Sequence, residues 1–268
     1  IARLGAEDFR GAMEDFDAIL AKHPDEPSTL VNRSLALAGL GDHEQAAKEL
    51  TKALELGAPQ TRIHFLRARF RQECGDSAGA AADRELGRSK RPTDELSWVA
   101  RGVHRLADDV EGSLADFQQA LRIAPNSRAA LQNVAHVLSE RQGRTDEAIG
   151  YLSRILATDP NDAHALASRG VLHARRGRRS VAVRDAEKVL SLSDEPLLIY
   201  QAGCVFAQCS KLAAADAERA RKLIAQAIAK DTSLAKIAAD DPDLAPLQKD
   251  AAFRKMLVAA TQMLQEIE

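Results

Sequence analysis

Apolar positions in this chain recur every three to four residues, in blocks separated by short polar turns, which is the pattern of amphipathic helices. Residues 26–58 show it well. Leu30, Ser34 and Leu37 place an apolar and small stripe on one helix, Gly41-Asp42 turns the chain, and Ala46, Leu50 and Ala53 build the next. The same period runs through every segment, so the pattern predicts an almost wholly helical chain of about fifteen helices with no sheet.

The blocks themselves repeat. Pro24, Pro59, Pro92, Pro125, Pro160 and Pro196 fall 33 to 36 residues apart. Small residues precede most of them by twelve or thirteen positions: Ala12, Ala46, Ala80, Ser113, Ala148 and Ala182. Glycines Gly41, Gly75, Gly143 and Gly177 mark turns on the same period. Each repeat therefore reads as two helices that approach closely where the small residues lie. A proline closes it, because proline lacks the amide hydrogen that would continue the helix.

These features resemble the tetratricopeptide repeat (TPR), a 34-residue helix–turn–helix with small residues at the helix crossing and a closing proline. Leu131–Pro160 is similar to it, with Ala135 and Ala148 as small positions and Gly143 at the turn. Trp98-Val99-Ala100-Arg101-Gly102 and Leu166-Ala167-Ser168-Arg169-Gly170 resemble first helices, and Asp116–Pro125 a second helix with Phe117 and Ala120 inward. Arg84 and Gly87 depart from the apolar pair expected there, which predicts that this repeat is the loosest. The resemblance implies an all-α, TPR-type helix–turn–helix solenoid (superhelix) with a C-terminal helical cap. It divides the chain into a half repeat at 1–25, five full repeats across 26–195, a degenerate repeat at 196–232 and a cap at 233–268. The segment from Asp240 to Leu247 resembles the close of bacterial TPR regions, some of which end multi-domain proteins such as serine/threonine kinases.

Composition adds limits. Lys+Arg number 37 against 39 Asp+Glu, a formal net charge of −2, so there is no general pull toward nucleic acid or anionic membranes. Aromatics make up only 4% of residues, few for a sheet protein. Cys74, Cys204 and Cys209 are too scattered for a disulfide framework and fit a reducing, cytoplasmic setting. No apolar run approaches the ~18 residues of a membrane span, and a chain opening on Ile1 reads as a piece of something longer.

Catalytic patterns are missing. The chain has no GxxxxGK[ST] phosphate loop and no HExxH pair, and Gly39-Leu40-Gly41 lies at an inter-helix turn with no strand before it. Cys204 and Cys209 read as buried thiols, His136 and His164 as polar lining, and Asp240, Asp241 and Asp243 as loop residues satisfying free helix amides. The expectation is therefore a non-enzyme with no cofactor and no metal. Arg175-Arg176-Gly177-Arg178-Arg179 reads first as a solvated turn and second as a docking point for an acidic partner.

Function then rests on the resemblance, which implies that the first helix of each repeat lines a concave groove. Helical projection gives Val31, Asn32 and Leu35, then Arg62, Phe65 and Arg69, then Val99, Val103 and Leu106. Gln132, Asn133, His136 and Ser139 follow, and Ala167 and Val171 after them; about a third of these should pack between repeats instead. The partner-binding candidates are Asn32, Arg62, Phe65, Arg69, Val99, Val103, Gln132, Asn133 and His136. Asn32 and Arg62 match two places of the carboxylate clamp seen in chaperone adaptors, but Leu66 stands where the clamp needs arginine. The expected partner is a protein or peptide, acidic by the charge of Arg62 and Arg69, with self-association as a further outcome and no nucleic acid or membrane. The alternative is the regulatory or substrate-recruiting segment of a larger bacterial enzyme such as a serine/threonine kinase.

Overall fold

The computed structural model describes residues 2–265, and among them there is no strand. A short helix, α1 (Ala2–Gly5), and α2 (Phe9–Lys22) are followed by antiparallel pairs. These are α3 (Pro27–Gly39) with α4 (His43–Glu55), α5 (Gln60–Glu73) with α6 (Ser77–Ser89), and α7 (Glu95–Arg105) with α8 (Val110–Ile123). Next come α9 (Arg128–His136), which runs into a π-helical turn at Val137–Arg141, and α10 (Thr145–Thr158). The pairs α11 (Ala163–Arg175) with α12 (Arg179–Leu192) and α13 (Pro196–Cys209) with α14 (Ala215–Lys230) follow. The described chain closes with α15 (Leu234–Asp240), a 3₁₀ turn at Pro242–Leu247 and α16 (Ala251–Gln265). This is an all-α helix–turn–helix solenoid, and its residues form two compact segments that divide between Asn133 and Val134.

The repeated small residues sit where the pairs cross. Ala12, Ala46, Ala80, Ser113, Ala148 and Ala182 are all at most 1% exposed, so the helices meet through them with almost no side chain between. The turns follow from local chemistry. Gly41, Gly75, Gly143 and Gly177 take the left-handed conformation that ends a helix without a Cβ clash, with φ of +86°, +86°, +67° and +71°. After the first two, Asp42 and Asp76 cap the next helix, accepting from the amides of Gln45 at 3.0 Å and Gly79 at 2.8 Å. Five of the marker prolines lie outside the helices; Pro196 instead occupies the first turn of α13, where its fixed φ suits helix initiation.

The π turn has a cause in the register. Leu131 stands 33 residues after Trp98 instead of 34, whereas Gly143 keeps an even 68 from Gly75, so the first helix of that repeat holds one residue too many. The wider turn at Val137–Arg141 absorbs it.

At the C-terminal end, Leu244, Leu247, Phe253 and Leu257 share one buried cluster with Ile224 and Ile228. Polar contacts fix the 3₁₀ turn beside them. The Gln208 amide donates to the carbonyls of Pro242 (3.3 Å) and Asp243 (2.8 Å), and the Tyr200 hydroxyl donates to Asp241 at 2.7 Å. Arg175 grips Asp243 with two bonds of 2.8 Å.

Candidate functional site

Burial sorts the projected lining. Val31, Ala167 and Val171 are at most 9% exposed and belong to the interior, as was expected of part of the set. Asn32, Val99 and Gln132 are half-buried, and His136 is exposed. Asn133 donates its amide to the carbonyl of Ala129 at 2.8 Å.

Four of the nine candidates come together. Arg62, Phe65 and Arg69 on α5 and Val103 on α7 line one cavity of about 470 Å³ inside the 1–133 segment. Its floor is apolar: the buried Phe65 ring, with Leu66, Ala100 and a Val103 that is 48% exposed. The Phe65 ring stacks on His104, with centroids 3.9 Å apart and planes 11° from parallel. Gly87 on α6 makes room for that ring, since a Cβ there would lie 2.8 Å from two ring carbons. The sequence departure at Gly87 is thus the place where Phe65 is seated.

The rim is positive. Arg62, Arg69 and Arg84 face a single carboxylate, Glu73. Arg84 is tethered to the Gln72 side chain at 3.2 Å, but neither Arg62 nor Arg69 has a carboxylate within 4.0 Å among the described residues. The Nε of Arg62 is buried without a hydrogen-bond partner. Burial lowers the pKa of His104, and the charges of Arg88 and Arg84 lower it further, so the imidazole is neutral at neutral pH. Leu66, Arg84 and His104 were absent from the sequence-derived set; His104 and Arg84 join it only because α5, α6 and α7 converge.

Other arginines are committed to internal pairs. The run at 175–179 is an exposed turn between two helices, as expected, and its guanidiniums also hold ion pairs. Arg175 holds Asp243 and Glu140, Arg176 and Arg178 share Asp146, and Arg179 holds Asp216. Deeper in the pairs lies a ladder that the sequence reading missed. Arg33 binds Glu49, Arg67 binds Asp83, Arg101 binds Asp116 and Arg169 binds Asp185, each through two nitrogens. The arginine is always on the first helix of a pair and the acid 15 or 16 residues later on the second. All four also reach the preceding repeat, at Asp17 (2.7 Å), Thr51 (3.0 Å), the carbonyl of Lys90 (3.1 Å) and Ser153 (3.3 Å).

Against known families, models of the tetratricopeptide repeat match residues 1–61 and 105–172. The chain carries tetratricopeptide repeats. Hsp70-Hsp90 organizing protein 3 of Arabidopsis thaliana is 22% identical to this TPR chain over 192 residues, covering 69% of the chain and 34% of that protein. The chain thus spans about a third of the length of that curated relative. A TPR protein from Parabacteroides merdae is 21% identical in its crystal structure, with 97% of this chain and 95% of that one covered and a TM-score of 0.54. An IFIT1 monomeric mutant with Gppp-AAAA is 12% identical, with 96% and 68% covered and a TM-score of 0.56. At these identities the likeness establishes the fold, and no enzyme family is indicated. No helix among the described residues is long and apolar enough to cross a membrane.

Proposed function

We propose that this chain is a non-enzymatic scaffold that holds a peptide or protein partner along the first helices of its TPR pairs. The observation that carries this reading is the cavity between α5 and α7, apolar below and ringed by arginines that no internal acid neutralises. Among the described residues Arg62 and Arg69 have no internal acid on them, which keeps them available to something outside. Asn32, Val99, Gln132 and Asn133 extend the proposed surface along neighbouring first helices of the 1–133 segment. A peptide lying there would combine apolar burial with a few directed polar contacts, the usual economy of groove recognition. The Arabidopsis relative is, by its name, an organizer of two other proteins, which agrees with this class of function.

The second reading places the same groove in a larger bacterial enzyme, such as a serine/threonine kinase, as its substrate-recruiting segment. It rests on the resemblance of the Asp240–Leu247 segment alone. Both readings need peptide binding, which phage-displayed random peptides selected on the intact chain would test. Recovered peptides should bind one-to-one by calorimetry, and Val103→Lys, at an exposed position, should weaken them. If selection yields nothing, or the peptides are indifferent to both Val103→Lys and Asn133→Ala, the groove reading fails.

A further inference from the structure

The geometry points to a specific occupant of the α5–α7 cavity: we infer that it takes a short extended peptide in which two apolar residues are flanked by carboxylates, of the form acid–apolar–apolar–acid. This rests on the scaffold reading above and adds the chemistry of the ligand to it.

Spacing gives the form. Arg62 and Arg69 are seven residues apart on α5, about 10.5 Å along the axis at 1.5 Å per residue. A peptide in the extended polyproline II form advances about 3.1 Å per residue with three residues per turn, so two acids three residues apart share a face, span about 9 Å and can meet the two guanidiniums together. Leu66 lies between the two arginines on the same helix face, and Val103 comes from the facing helix. The two residues between the acids project to either side of that face, over Leu66 of α5 and Val103 of α7, which favours leucine-like side chains over polar ones.

Charge gives the sign. Three arginines to one glutamate leave the cavity positive. Arg62 is half-buried with no internal carboxylate on its guanidinium among the described residues, and a ligand carboxylate would supply one. At about 470 Å³ the cavity is of the size that clefts use for small ligands and short segments, about 300–1,000 Å³. A nucleotide fits less well. Phe65 is buried, with one face covered by His104 and its edge against Gly87, which leaves no free aromatic face on which a base could stack.

The test uses fluorescein-labelled octapeptides, Asp-Leu-Leu-Glu flanked by glycines, against three controls: Asn-Leu-Leu-Gln, Asp-Ser-Ser-Glu and Lys-Leu-Leu-Lys. Polarisation titrations with the intact chain should show the first peptide binding about tenfold or more tightly than each control. The charge-reversed chain, Arg62→Glu with Arg69→Glu, should lose that peptide and bind Lys-Leu-Leu-Lys about tenfold better than the unaltered chain does. A gain of this kind requires a folded cavity, so it cannot be produced by unfolding. If Asn-Leu-Leu-Gln binds as well as Asp-Leu-Leu-Glu, the acidic form is wrong while the scaffold reading stands. If none of the octapeptides binds but phage-selected peptides do, the cavity is not the site; if neither set binds, both readings fall. Displacement of the peptide by an RNA octamer at a similar concentration would also overturn the inference.

Discussion

Removing one member of the Arg67–Asp83 pair should damage the chain more than removing both. The Asp83 side chain is 1% exposed and Arg67 11%, and they are joined by bonds of 2.8 and 2.7 Å. Asp83 also accepts from His64 at 2.9 Å and from Arg71 at 2.9 Å. Breaking a buried pair costs about 3–5 kcal/mol, because the remaining charge stays desolvated. Arg67→Leu leaves Asp83 two partners and should cost about 3 kcal/mol, at the lower end. Asp83→Leu leaves two arginines without their carboxylate and should cost about 4 kcal/mol. The double variant removes the desolvated charges together and should cost about 1 kcal/mol. Repeat arrays need not unfold in one step, so the assay is hydrogen exchange of the α5 and α6 amides across a urea series. Single losses below about 1 kcal/mol that simply add in the double variant would refute the argument. Acid offers a second check. Burial raises the Asp83 pKa, but bonds from Arg67 and His64 and the charges of Arg67 and Arg71 outweigh it and leave it below the usual 3.8. Its stabilisation is therefore complete above pH 3.8 and lost as pH falls through the depressed value, so the gap between the native chain and the double variant should narrow only there.

Deleting residues 240–268 removes Leu244, Leu247, Phe253 and Leu257 from the cluster around Ile224 and Ile228, about 6–12 kcal/mol of burial. Exchange protection across 196–232 should collapse while 1–133 is unaffected, and unchanged protection would show this segment to be an independent arm. Gly87→Ala drives a Cβ to 2.8 Å from the Phe65 ring, which should cost about 1–3 kcal/mol and disturb the α5–α7 cavity. A full-strength thermal transition in that variant would mean the ring has slack. A thiol reagent at pH 8 should label exposed Cys74 alone in the native chain and all three thiols in denaturant, since burial and Asp216 push Cys209 up to about 11 and burial raises Cys204 further still above its usual value. Rapid native labelling of a second thiol would contradict the burial.

Much of the fold was legible because it depends on residue types with a single job. Ala46 and Ala80 admit a close helix crossing, and Gly41 and Gly75 permit a left-handed turn, so their spacing alone carries the repeat. The candidate site was half legible. Helical projection placed Arg62, Phe65 and Arg69 on α5 correctly as neighbours, but it carried no account of Gly87 lying beneath Phe65 or of His104 stacking on it. Those contacts join three helices, and a period within one helix says nothing of them. The partners of the arginine run were hidden for the same reason: Asp243 lies 68 residues from Arg175, and a local charge count cannot find it. The buried ladder, by contrast, could have been read. Arg33, Arg67, Arg101 and Arg169 occupy one position of the repeat, and an acid follows each by 15 or 16 residues. Where that position is Val134 or Ala202, the acid's place holds Tyr151 or Leu223. Charge is present twice or not at all, and that co-occurrence inside one chain was a visible sign of contact.

The same ladder bears on how such a chain can change its length. Both ends of each buried pair lie within one helix–turn–helix module, so a module copied or lost as a whole takes its positive and its negative group together. The link to the preceding module is made by a spare guanidinium nitrogen to a carboxylate, a hydroxyl or a backbone carbonyl, at Asp17, Thr51, Ser153 or Lys90, which water can replace. Duplication by whole modules therefore strands no desolvated charge at either new junction. A break placed between an arginine and its acid would strand one every time, so the chain tolerates growth in steps of one module and resists growth in any other step.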